Sequence, residues 1–112
     1  MHSPHDLDFL YQSVLLMSIP SLSCCLGNLS QVEVIGRDAL KLLPNDHTIM
    51  FSLANVLGKL QKHERSFTHH WGKLELAKKH YERSLMLEPE APGIQDNLLQ
   101  CKLDQLYMAK PP

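Results

Sequence analysis

Ala39-Leu40-Lys41-Leu42-Leu43-Pro44 returns 45 residues later as Ser84-Leu85-Met86-Leu87-Glu88-Pro89. Each copy closes a segment whose apolar residues recur at helical intervals, and each opens another such segment. Proline restricts the residue before it and cannot carry the helical hydrogen-bond ladder onward, so both copies mark a helix end followed by a fresh helix start. A chain punctuated in this way reads as helical hairpins stacked on one another. Such a stack offers a surface for partners and has no obvious place for an active site.

Working outward from the first copy, Ser30-Gln31-Val32-Glu33 has the spacing of a capping box, which predicts a helix from about Ser30. Val32, Ile35, Ala39 and Leu43 then share its apolar face. Beyond Pro44, Asn45 or Asp46 is placed to cap a second helix in which Met50, Leu53, Ala54 and Leu57 fall at i, i+3, i+4 and i+7. A third helix is expected from about Lys73, with Leu74, Ala77, Tyr81 and Leu85 on one stripe. Pro92 suits a first helical turn and opens a fourth, running through Ile94, Leu98, Cys101 and Leu106. The expected fold class is therefore all-α: about four helices in hairpins, a short α-solenoid spanning 30–109. An irregular leader covers 1–29 and a frayed tail 110–112.

The composition narrows the function classes. With 112 residues the chain is one small domain with a modest core. Its 11 Lys and Arg balance 12 Asp and Glu, which gives no basic footprint for nucleic acid. The three cysteines cannot all pair in one molecule and are expected reduced, a bridge from Cys24 or Cys25 to Cys101 being the alternative. Residues 9–27 are apolar, but Asp6 and Asp8 stand where a signal peptide needs positive charge, and Gln12, several serines and Pro20 interrupt any membrane span. No membrane span is expected. There is also no Gly-rich phosphate loop, nucleophile elbow or paired-carboxylate arrangement, so no catalytic residue is assigned and no cofactor is expected.

Set against the tetratricopeptide pattern W-x2-L-G-x2-Y, A-x3-F and P, the chain supplies Met50-x2-Leu53-Ala54-x2-Leu57, Ala77-x3-Tyr81 and Pro89. Small residues at the Gly and Ala positions let two antiparallel helices approach closely, while large ones fill the space between them. That repeat has a period of about 34 residues, so the interval here carries a surplus, in the run from Gln61 to His70. Three readings of 61–71 stay open: a longer second helix, a polar loop, or a junction where a repeat unit has been lost and Trp71-Gly72 ends a helix that has no beginning.

The wording of residues 42–59, LLPNDHTIMFSLANVLGK, and 71–91, WGKLELAKKHYERSLMLEPEA, resembles the final repeats of the transmembrane and tetratricopeptide-repeat-containing proteins. These are endoplasmic-reticulum protein O-mannosyltransferases. The resemblance implies a repeat tail that engages acceptor proteins such as cadherins, in the endoplasmic reticulum; a cytoplasmic location follows instead if the leader is not a targeting signal. In that family the transfer chemistry, which uses dolichol-linked mannose, lies in a multi-span region that no part of this chain matches. The chain alone is accordingly expected to transfer no sugar, as a fragment or truncated form whose role is to bind or recruit.

In stacks of this kind the first helix of each hairpin lines the concave groove. The candidate groove residues are Thr48, Phe51, Ser52, Asn55 and Lys59, joined by Asp96, Asn97 and Gln100 from the helix after Pro92. An asparagine such as Asn55 can hydrogen-bond a peptide backbone without selecting its side chains. Phe51 and Asp96 occupy positions where a clamp for an acidic carboxyl-terminal peptide needs lysine, so the expected ligand is a neutral or apolar extended segment. His63, His69, His70 and His80 lack the helical pairing of metal ligands, and no metal is assigned. Asn28-Leu29-Ser30 matches the N-glycosylation pattern. Stacks of so few units leave apolar faces uncovered, which makes self-association a further expectation.

Overall fold

The computed structural model describes residues 29–64 and 71–107, and within them the chain is all-α, as expected. Four helices follow one another: α1, Leu29–Leu42; α2, His47–Glu64; α3, Trp71–Leu87; and α4, Ile94–Tyr107. Sequence neighbours are spatial neighbours. Thus α2 packs against α1 and most extensively against α3, α3 packs against α4, and α2 also touches α4. The result is a helical repeat-like stack with α2 at its centre.

Local chemistry sets the boundaries. Pro44 lies just past α1, and Asp46 caps α2 by accepting hydrogen bonds on Oδ1 from the backbone amides of Thr48 and Ile49, at 3.0 and 3.1 Å. The Ser84 hydroxyl donates to the carbonyl of His47 at 2.8 Å, and Arg83 reaches Asn45 at 3.0 Å, which ties the end of α3 to the start of α2. Glu33 on α1 accepts a hydrogen bond from Arg37, one turn further along, and an ion pair of 2.7 Å from Lys73 on α3.

The core is built from the small and branched residues of facing stripes. Met50, Leu53, Ala54 and Leu57 are buried on α2, and Ile49, Val56 and Leu60 extend that burial toward its other flank. Leu74, Ala77 and Tyr81 are buried on α3, Val32, Gly36 and Ala39 on α1, and Ile94, Leu98 and Cys101 on α4. Ala54 and Ala77 are both fully buried, in keeping with close approach of α2 and α3.

Several expectations are corrected. α1 is already formed at Leu29, so Ser30 stands within its first turn and not at the cap. Leu43 lies beyond the helix end and is exposed; Gly36 takes its place on the buried stripe. Pro92 does not start α4: it sits in a turn with Gly93, whose φ of 86° is a conformation favoured by glycine, and the helix begins at Ile94. Leu106 is 82% exposed because the stripe of Ile94, Leu98 and Cys101 continues to Gln105, one residue and about 100° away. α2 continues helically through Glu64 and α3 opens at Trp71, which removes the reading of Trp71-Gly72 as a helix end. Residues 65–70, the leader up to Asn28 and the tail 110–112 fall outside the described residues.

Acid should destabilise this fold in two stages. Burial works to raise the Glu33 carboxyl, but the hydrogen bond and charge of Lys73, followed by the charge and hydrogen bond of Arg37, outweigh it and hold the group below its ordinary 4.5. His80 is held below its ordinary 6.5 by burial and then by the charges of Arg37 and Arg83. In both cases the unfolded chain binds the proton more readily, so stability is complete above the ordinary value and falls as pH drops through the folded one. The thermal midpoint is expected to decline first below 6.5 and again below 4.5, with His80→Gln flattening the upper stage and Glu33→Gln reducing the lower. A midpoint independent of pH between 7 and about 5 in the unaltered chain would contradict the His80 assignment.

Candidate functional site

Where α2 meets α4, with α3 behind them, four side chains converge. Asn55 of α2 is partly buried, and its Oδ1 accepts two hydrogen bonds: one from the Tyr81 hydroxyl of α3 and one of 2.9 Å from Nδ2 of Asn97 on α4. Two donors occupy both lone pairs of that oxygen and thereby fix which way the amide faces. The Tyr81 ring meets Phe51 edge-on, with centroids 5.9 Å apart and planes at 60°. Gly93 completes the wall: a Cβ built there would lie 3.5 Å from the tip of the Phe51 ring.

Chemically, the arrangement presents a complementary pair. With its Oδ1 engaged, Asn55 has Nδ2 left as a donor, and Asn97, having given Nδ2, has Oδ1 left as an acceptor. One donor and one acceptor on adjacent helices match the C=O and N–H of an extended peptide, beside an aromatic ring that provides apolar contact. The amides cannot titrate, so this recognition carries no pH dependence of its own.

The candidate residues separate into those the fold gathers and those it does not. Phe51, Asn55 and Asn97 come together. Thr48 is half-buried in the first turn of α2, its backbone amide held by Asp46. Lys59 and Asp96 are exposed on α2 and α4, and Gln100 is exposed with its amide donating to Asp104 at 3.0 Å. Ser52 is a correction. It is 0% exposed, since Ile49 and Val56, one turn to either side of it, face neighbouring helices and carry it inward, so it presents nothing to a ligand. Asn28 lies outside the described residues.

Tyr81 is the residue of this cluster that the stripe pattern did not single out. Helical spacing marks it as a packing residue, which its ring is, but spacing carries no information about where a hydroxyl ends. The detectable signal was a buried aromatic that needs a hydrogen-bond partner, together with an asparagine on the facing helix. No helix among the described residues is long and apolar enough to cross a membrane.

Comparison with known proteins places the chain beside one group. Over 38 residues, 32% of its length, it is 58% identical to the human protein O-mannosyl-transferase TMTC4. Over 39 residues, 33% of its length, it is 56% identical to the mouse protein of the same name. The match spans 5% of each relative's length. No protein-family profile matches the chain. No solved structure matches it either. The local similarity supports a relation to the family of these transferases.

Proposed function

We propose that this chain is a non-catalytic protein-interaction module of tetratricopeptide type, which holds an extended, uncharged peptide segment across Phe51, Asn55 and Asn97. The observation that carries the reading is the double hydrogen bond onto Asn55 Oδ1, which presets a donor before any ligand arrives. Preorganisation of this kind lowers the ordering cost of binding. The similarity to O-mannosyl-transferases supports a setting in the endoplasmic reticulum, where the bound segment belongs to a mannose acceptor of the cadherin kind.

The test is binding of fluorescein-labelled, uncharged extended peptides to the full chain, read by anisotropy. Asn97→Ala is expected to weaken the tightest peptide about tenfold, equal to about 1.4 kcal/mol. Lys59→Ala should leave its affinity unchanged. Equal affinity for the Asn97→Ala chain, or a strict requirement for an acidic carboxyl terminus, would overturn the proposal.

The same similarity favours a second reading, in which the segment assists a dolichyl-phosphate-mannose-dependent transferase by recruiting acceptors. In cells lacking the full-length enzyme the isolated chain should not restore acceptor mannosylation by itself. Restoration would place transfer chemistry in this chain and refute the non-catalytic assignment.

A further inference from the structure

Glu33 of α1 and Lys73 of α3 begin a row of charged side chains along the seam between these two helices, which both pack on α2 and do not pack extensively on one another. One turn beyond Glu33 on α1 stands Arg37, and two turns beyond Lys73 on α3 stands His80, followed one turn later by Arg83. Long side chains, more than closely packed backbones, therefore meet across this seam. Arg37 and Arg83 are exposed, and His80 is half-buried with both of their charges acting on its ring.

The row is unbalanced. Its carboxylate, Glu33, is shared between Lys73 at 2.7 Å and Arg37 at 2.8 Å. Arg37 places its Nε and one terminal nitrogen on a single oxygen of Glu33, and Arg83 gives one terminal nitrogen to the uncharged amide oxygen of Asn45. Each guanidinium thus keeps a terminal nitrogen with no partner among the described residues. Of the charges on the four helices, those that act on His80 are Arg37 from α1 and Arg83 from α3 itself, both cationic. Groups of like sign gathered in this way repel one another until an anion joins them. The guanidinium fork matches the oxygens of phosphate and sulfate, and an imidazole beside it adds a further donor when protonated.

We propose that this seam binds a doubly charged tetrahedral oxoanion, a phosphate or sulfate group free or esterified, between Arg37 and Arg83 with His80 as its third donor. The anion favours the protonated ring, and by linkage the protonated ring binds the anion more tightly. The site therefore strengthens below the ordinary histidine value of 6.5, the interval in which the empty fold loses stability. It is built from α1 and α3 and does not rest on the peptide-binding reading.

Sulfate, which keeps both charges across this range, is the first probe. It is titrated into the full chain at constant ionic strength, in exchange for chloride, and followed by the nuclear magnetic resonance signal of the His80 ring, identified by its loss in His80→Gln. The shift is expected to saturate, with affinity about fivefold higher near pH 5.5 than near pH 7.5. Arg83→Gln, which leaves both Glu33 pairs intact, should weaken sulfate about tenfold, and Lys102→Gln on α4 should change nothing. Glycerol 2-phosphate is the second probe: tighter binding than sulfate near neutral pH assigns the site to an esterified group, and equal binding assigns it to the oxoanion itself. A shift that climbs without saturating, as screening alone produces, would overturn the proposal. So would saturation with the same affinity at both pH values, or an unchanged affinity in Arg83→Gln. If that variant does not fold, saturation and its pH dependence in the unaltered chain decide the point.

Discussion

Leu53→Ala is expected to lower stability by about 2–5 kcal/mol, the range for deleting a fully buried leucine side chain. Leu53 is 1% exposed on α2, the helix that contacts every other described helix, and it belongs to the cluster that includes Val32, Leu74 and Leu98. The substitution loses the transfer free energy of the removed atoms and leaves a cavity that three helices would have to move together to fill. Small domains are stable by only about 5–15 kcal/mol, so this one change removes a large share. The measurement is urea unfolding followed by circular dichroism. Leu103→Ala, on the outward side of α4, should shift the midpoint little. A cost below about 1 kcal/mol for Leu53→Ala would mean that α2 is not the centre of the core.

Gln61→Leu is expected to act in the opposite direction, raising stability by about 1–3 kcal/mol. The Gln61 side chain is 0% exposed, and among the described residues neither its Nε2 nor its Oε1 has a hydrogen-bond partner. A buried amide in that position has given up its water and gained nothing in return. Leucine fills a similar volume, and because no described residue bonds to the Gln61 side chain, its removal strands no other described group. The denaturation midpoint should move upward with the slope unchanged. A destabilised variant would show that the amide is satisfied in solution, by a bound water or by a segment outside the described residues.

These two positions also show what the sequence discloses. Leu53 was legible because its neighbours Met50, Ala54 and Leu57 repeat at helical spacing, a pattern that tertiary packing follows closely. Gln61 was harder, since polarity argued for solvent while its place four residues after Leu57 put it on the buried stripe, and position prevailed. Pro44, Asp46 and Pro89 were readable because capping and proline sterics act within a few residues. Leu43 and Leu106 were misplaced for a related reason: a stripe is only as good as its phase, and a helix end or a single residue rotates a side chain out of the core. The candidate site was half visible. Phe51, Asn55 and Asn97 could be picked out by residue type and helix position, but the hydroxyl that orients Asn55 comes from Tyr81, 26 residues away, and only the packing of α3 brings it there. Ser52 failed because α2 packs against α1, α3 and α4 at once, which leaves less of its surface exposed than a helical wheel suggests.

The ion pair between Glu33 and Lys73 joins two helices that are not consecutive, across 40 residues of chain. The bridge holds α1 and α3 to one another directly, in addition to the packing each makes on α2. Losing it would leave the placement of α1 against α3 chiefly to the packing that both helices make on α2.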